Sequence, residues 1–252
     1  MKSQTKVAII TGAGSGIGKA VATALLNDGW NTVFVGRRLA PLEGAISAAE
    51  AENTAALAIS CDVSKADEVD ALFAKVLDTW GRVDLLFNNA GIGYKLATID
   101  EIPIEAWNDV LAINLTGSFL CARAAFAAMK KQTPQGGRII NNGSVSAHVP
   151  RPGSAPYTVS KHAITGLTKT LALDGREFDI ACGQIDIGNV LTDMALPMTV
   201  GMPQANGTIS PEALFDVVHV ADAVLSVANL PLDVNVPFMT IMANKMPLMG
   251  RG

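Results

Sequence analysis

The chain has 252 residues, 49% hydrophobic and 17% charged, with 19 Lys and Arg against 23 Asp and Glu for a net charge of −4. That composition excludes a disordered or fibrous protein and fits one α/β domain over residues 1–252, with enough length for a sizeable core. Basic residues are scattered apart from short pairs such as Arg37-Arg38 and Lys130-Lys131, so no nucleic-acid partner is expected.

Short β-branched runs alternate with longer helical patterns along the chain. Lys6–Thr11, Thr32–Gly36, Ala55–Ser60, Val83–Asn88, Arg138–Asn142 and Ile180–Ile185 read as buried strands of a parallel sheet. Between them Gly16–Asp28, Leu39–Glu52, Lys65–Thr79, Ile104–Lys131 and Ala155–Arg176 read as helices, each long enough to cross over a sheet face. The expected architecture is a Rossmann-like doubly wound sheet with helices on both faces. Ser64 ahead of Lys65 and Pro156 mark helix starts, while Gly29 and Gly81 stand where helices stop. From Leu191 to Pro211 the chain carries Met194, Met198, Met202 and three prolines with no clear period. A loop of that size is usually functional, and it is expected to be a substrate lid.

Cys61, Cys121 and Cys182 are odd in number and far apart, which suits reduced packed thiols and a cytoplasmic setting better than disulfides or a zinc site; no metal is expected. The apolar run Val7–Ile10 is too short for a signal peptide, and no uninterrupted run approaches the ~18 residues of a membrane span, so no membrane partner is expected.

The glycine cluster between the first strand and first helix sits where a helix N-terminus, with free N–H groups and the positive end of its dipole, faces the carboxyl edge of the sheet. "GAGSGIG" does not place glycines at the first, third and sixth positions; what fits is Thr11, Gly12, Gly16 and Gly18 as Thr-Gly-x-x-x-Gly-x-Gly. Gly12, Ser15, Gly16, Ile17 and Gly18 are therefore expected to cradle a pyrophosphate, against the plain alternative of a glycine-rich turn. At the end of the second strand, Gly36 occupies the place where an acid would hold the 2′-hydroxyl of NAD, and Arg37 and Arg38 follow. Guanidinium forks suit a 2′-phosphate, so NADP is expected as cofactor, with NAD as the second option.

"TGAGSGIG", "NNAG" (Asn88–Gly91), Asn114, Ser144 and "YTVSK" (Tyr157–Lys161) occur in the order and spacing of the short-chain dehydrogenase/reductase family, and the chain resembles the short single-domain branch over nearly its whole length. The residues themselves carry chemistry. Tyr157 and Lys161 are four apart on a helix and hence neighbours, and an ammonium beside a phenol is expected to lower the phenol from its usual ~10. Tyr157 then serves as acid and base. Ser144, just past a strand at the same carboxyl edge, is expected to hold the substrate oxygen.

The resemblance further implies that Lys161 contacts the nicotinamide ribose and that Asn114 holds a water linking Lys161 to solvent. It implies that Asp62 and Val63 border adenine, that Asn89, Ala90 and Gly91 pass beside the ribose, and that Thr192 meets the carboxamide. Asp62 also has a plain reading as a turn residue. Two departures stand out: Ile187-Gly188 replaces the family's Pro-Gly, and the tail "FMTIMANKMPLMGRG" lacks the usual ending.

Three rival readings remain. A serine hydrolase built on Ser144 and His148 lacks Gly-x-Ser-x-Gly and an evident acid. A non-catalytic nucleotide sensor would be expected to lose Ser144, Tyr157 or Lys161. A 3-oxoacyl-(acyl-carrier-protein) reductase would want a basic docking surface; the sequence shows no extended one, though Arg123, Lys130 and Lys131 could contribute. The substrate expected here is a small or medium, largely apolar ketone or secondary alcohol. Met194, Leu196, Met198, Val200 and Met202 alternate along the lid as an apolar wall without a cation. His148 and Arg151 are the residues best placed to upset that. Apolar surface on Val110–Met129 and Ala155–Leu173 is expected to pair helices across a two-fold axis, and the resemblance implies a homotetramer, or a dimer.

Overall fold

The computed structural model of the protein describes residues 5–49 and 56–248. Its strands are β1 (Val7–Thr11), β2 (Asn31–Gly36), β3 (Ala56–Ser60), β4 (Leu85–Asn88), β5 (Gly137–Asn142), β6 (Ile180–Ile187), β7 (Met202–Pro203), β8 (Ile209–Ser210) and β9 (Phe238–Ile241). Seven of them form one sheet in the order β3-β2-β1-β4-β5-β6-β9, with every neighbouring pair parallel. β1 is buried throughout, as an apolar run in the centre of a covered sheet must be. The order reverses between β1 and β4, and that switch point opens a crevice beyond the strand ends.

The helices are α1 (Gly16–Asn27), α2 (Leu39–Ser47), α3 (Ala66–Trp80), α4 (Ile104–Leu111), α5 (Ser118–Lys131), α6 (Ala155–Asp174) and α7 (Val218–Ala228). On one sheet face Leu25 and Leu26 of α1 and Val220 and Val224 of α7 close over Phe34 and Phe87. On the other, Val69, Leu72 and Val76 of α3 and Cys121, Ala125 and Met129 of α5 cover Val33 and Leu86. Truncating one such leucine to alanine costs about 2–5 kcal/mol, so each face anchors the strand ends that carry the site.

Several boundaries differ from the sequence reading. The helix expected over Leu39–Glu52 ends at Ser47, and residues 50–52, like Ala55 of the third expected strand, lie outside the described residues. Ser64 does not cap α3; its hydroxyl bonds Asp62 Oδ1 at 2.7 Å, leaving Lys65 at the cap position. Gly81 does stop that helix, in the left-handed conformation at φ 74°. The continuous helix 104–131 widens into a π turn over Ala112–Gly117. Its 28 residues are long and apolar enough to cross a membrane, while Cys121, Ala122, Ala125 and Met129 are buried against the sheet. α7 and β9 went unread, because Val218–Ala228 has too few polar residues to show a period and β9 is only four residues long.

Candidate active site

The ends of β1, β4, β5 and β6 meet at one edge and enclose a cleft of about 860 Å³, a size suited to small-molecule ligands. At its base is the glycine turn. Gly16 has φ +51°, and a Cβ on Gly18 would overlap the Gly12 carbonyl, so the turn and the start of α1 approach closer than any side chain allows. Thr11 locks this turn to the next strand: its Oγ1 accepts the backbone N–H groups of Asn89 and Ala90, both at 2.9 Å, and its carbonyl accepts Asn89 Nδ2 at 2.8 Å.

The expected cofactor residues line this cleft together: Gly12, Ser15, Gly16, Ile17, Gly18, Arg37, Arg38, Asp62, Val63, Asn89, Ala90, Gly91, Ile187, Gly188 and Thr192. Arg37 and Arg38 are exposed at one end. Asp62 fulfils its plain reading as well, accepting the Ser64 N–H at 3.0 Å. Burial raises its carboxyl, yet the Ser64 hydrogen bonds and the charges of Arg37 and Lys65 outweigh that and hold it below the ordinary range. Ile187 extends β6 beside Ile241 of β9, and the Gly188 N–H reaches the Ile241 carbonyl at 2.8 Å. The unusual tail thus closes the sheet directly behind the turn that lacks the family's proline.

Ser144, Tyr157 and Lys161 line the other end. Ser144 follows β5, and its Oγ accepts the Ser146 N–H at 3.1 Å. Lys161 is buried, with Nζ donating to the Asn142 carbonyl at 2.7 Å and 5.5 Å from the Tyr157 ring centre. Asn114 lies in the π turn and clamps the backbone of Ile92 from both sides, at 2.8 and 3.0 Å, while its Nδ2 reaches Ser160 Oγ at 3.1 Å. π turns often mark functional positions, and this one sets Asn114 beside the residue preceding Lys161.

The family model for short chain dehydrogenases matches residues 6–200 of this chain. The chain belongs to that family. It is accordingly an oxidoreductase of CH–OH and C=O groups. It is similar to a 3beta-hydroxysteroid dehydrogenase of Mediterraneibacter gnavus, 38% identical over 180 residues, which span 71% of this chain and 64% of that relative's length. Among solved structures it resembles a 3-ketoacyl-(acyl-carrier-protein) reductase of Brucella melitensis complexed with NADH, at TM-score 0.83 and 28% identity over 96% of this chain and 99% of that one. It also resembles an alcohol dehydrogenase of Thermococcus sibiricus complexed with 5-hydroxy-NADP, at TM-score 0.81 and 27% identity over 94% and 96% of the two chains.

The electrostatics correct one expectation for this family member. Burial raises the Tyr157 phenol, hydrogen bonding with Ser144 only partly offsetting it, so the hydroxyl stays protonated rather than falling toward neutrality. Desolvation dominates here, and Lys161 Nζ donates to the Asn142 carbonyl, 5.5 Å from the ring centre. Burial also lowers Lys161 itself to about 8, with Asp186 pulling the other way.

Asp186 is the acid the sequence reading did not find. It is fully buried on β6 and accepts the Ser144 backbone N–H at 3.0 Å, Gln184 Nε2 at 2.7 Å and His148 Nε2 at 2.7 Å. Asp186 contacts His148 as a triad acid would, but the His148 ring makes no hydrogen bond to the Ser144 hydroxyl, so the hydrolase reading gains no nucleophile–base pair. A charged residue inside an apolar strand was the available signal. Glu212, Asn189 and Gln204 had none. Glu212 binds Arg151 at 2.6 and 2.8 Å and also accepts from Asn189 at 2.7 Å and Gln204 at 3.0 Å. Tyr94 and the exposed Lys95 join the cleft wall unforeseen.

The segment 191–211 covers this end of the cleft but is more ordered than its sequence implied, with a 3₁₀ turn at Leu196–Thr199 and the β7–β8 ribbon. Met194, Met198 and Met202 line the cleft; Leu196 and Val200 do not, and are 50% and 86% exposed. The 3₁₀ turn at Leu196–Thr199, with about three residues per turn, breaks the expected alternation.

Proposed function

We propose that this protein is an NADP(H)-dependent oxidoreductase that interconverts small to medium, largely apolar ketones and secondary alcohols, with residues 1–252 acting as one unit and 191–211 as its lid. The convergence of Ser144, Tyr157 and Lys161 on the cleft that begins at the glycine turn carries this reading. The residues present fit a dinucleotide: with no Cβ on Gly18 the Gly12 turn packs directly on the start of α1, whose first N–H groups lack intrahelical partners and lie at the cleft. When bound, the nicotinamide supplies or accepts the hydride.

In the reducing direction the Ser144 hydroxyl holds the carbonyl oxygen and the Tyr157 hydroxyl delivers its proton to that oxygen as the alcohol forms. Lys161 stabilises the phenolate left behind, and Asn114 positions the Ile92 and Ser160 segments around it. Gly12, Ser15, Gly16, Ile17 and Gly18 hold the pyrophosphate, and Arg37 and Arg38 the 2′-phosphate. Asp62 and Val63 border the adenine, Asn89, Ala90 and Gly91 the ribose, the Ile187-Gly188 turn faces the nicotinamide, and Thr192 meets its carboxamide. Exposed apolar side chains on α5 and α6 support a homotetramer, and the free, buried Cys61, Cys121 and Cys182 support a cytoplasmic setting.

The deciding experiment is turnover of a panel of ketones and alcohols with both nucleotides, alongside titration of NADPH and NADH. Equal affinities would refute the NADP preference; Gly36→Asp with Arg37→Leu is expected to reverse it. Likeness to the Brucella reductase favours a second reading, reduction of a 3-oxoacyl group on a carrier protein. A carrier-bound thioester turned over far better than a free ketone would select it.

A further inference from the structure

Arg151 lines the substrate end of the cleft, between Ser144 and Tyr157 in sequence, and a free guanidinium there would draw in carboxylated substrates. It is not free. Its two terminal nitrogens grip both Glu212 oxygens at 2.6 and 2.8 Å, with the side chains only 11% and 1% exposed.

Glu212 is itself held from three directions. Asn189, just after β6, donates to Oε2, and Gln204 of the lid donates to Oε1. The Glu212 N–H bonds the Met198 carbonyl at 3.0 Å. The pair therefore joins the lid to the wall beside Ser144, and its charges cancel inside that wall. The other cations of the cleft lie elsewhere: Lys161 on the Asn142 carbonyl, Lys95 exposed at the rim, Arg37 and Arg38 at the far end.

We propose that Glu212 is a specificity-determining residue, which occupies Arg151 and so makes the cleft select uncharged carbonyl compounds over carboxylated ones of equal length. This rests on the cleft being the substrate site. Selection follows because the cation that would attract a carboxylate is already paired, which leaves that wall without net charge for a second anion. Without Glu212, a substrate carboxylate becomes the available partner for Arg151.

The test is kcat/KM for paired neutral and carboxylated ketones with NADPH, in the wild type, Glu212→Gln, and the Glu212→Gln/Arg151→Gln double variant. The carboxylated-to-neutral ratio is expected to be below one in the wild type, to rise about tenfold or more in Glu212→Gln, and to fall back in the double variant. Using the ratio removes any general loss from a loosened lid. If Glu212→Gln does not fold, Arg151→Gln decides: it removes the cation from the cleft wall while Glu212 stays buried behind it, and must lower the ratio further. Calorimetric binding of an unreactive straight-chain carboxylate and its primary amide, with NADP⁺ present, gives a second readout. An unchanged ratio in both measurements overturns the role of Glu212. Absence of any ketone turnover sinks the functional reading instead, while the binding pair still tests Glu212.

Discussion

Asp186 holds the backbone of Ser144 with one carboxylate oxygen, at 3.0 Å, and His148 with the other, at 2.7 Å. The buried carboxylate thus fixes the serine's main chain while raising the proton affinity of Lys161, which burial still brings down to about 8. Asp186→Asn keeps the shape and an acceptor but removes the charge, so Lys161 loses its proton at lower pH. The alkaline limb of the kcat profile is expected to move to lower pH than in the wild type, with Tyr157 the other titrating group facing Lys161. Superimposable limbs in the two proteins would show that Asp186 acts through packing alone.

Tyr157→Phe is expected to reduce turnover by about 100-fold or more, the usual worth of a positioned general acid, while NADPH affinity stays within about threefold of wild type. Lys161→Ala is expected to damage both. Stopped-flow turnover together with NADPH titration checks this, and a Phe variant retaining a tenth of wild-type turnover would require another proton donor.

Gly18→Ala places a methyl group against the Gly12 carbonyl and 2.5 Å from Asn89 Nδ2. Backbone atoms cannot yield as a flexible side chain does, so the turn must open at a cost of about 1–3 kcal/mol. Thermal unfolding and NADPH titration are both expected to worsen. Unchanged nucleotide affinity in a folded variant would detach this turn from the phosphate site.

The Arg151, Gln204 and Asn189 hydrogen bonds hold the Glu212 carboxyl at about 2 against burial's upward pull, compared with an ordinary 4.5. A depressed carboxyl stabilises the fold fully above its unfolded value and loses that contribution as pH falls through the folded one. Glu212→Gln should therefore be less stable than wild type near neutral pH, and the gap should narrow between pH 4.5 and about 2. Urea titrations across that window measure it; a constant gap contradicts the linkage.

Phe119 on α5 is 50% exposed, and Val159 and Leu173 on α6 are 43% and 59% exposed. Phe119→Glu puts a charge into that apolar surface, and the homotetramer proposed above should break into smaller species in light scattering at micromolar concentration. A variant with the wild-type mass would place the subunit contact elsewhere.

The doubly wound architecture was legible because each of its signals is local. Strand runs such as Val7–Thr11, the glycine turn at its end, and Tyr157 four residues before Lys161 each lie within one or two turns of chain, where periodicity and spacing are direct readouts of geometry. The same locality marks the glycine turn and the Arg37-Arg38 pair, whereas Asp62, Val63, Asn89, Ala90, Gly91 and Thr192 follow only from the family resemblance. Where such signals failed, a competing local contact had intervened: Asp62, two residues away, took Ser64 from its expected cap, and a 3₁₀ turn interrupted the period of two in the lid.

The environment of the reacting groups was decided only by the folded chain. Ser144 meets Asp186 across 42 residues and Arg151 meets Glu212 across 61, and both pairings depend on β6 lying beside β5 and on the lid folding back over that edge. The sequence showed Arg151 and His148 as available side chains and Tyr157 as a phenol beside an ammonium. Burial raised the phenol, and long-range carboxylates claimed the other two, because desolvation and ion pairing depend on which atoms surround a group in space, and residue spacing carries no record of that.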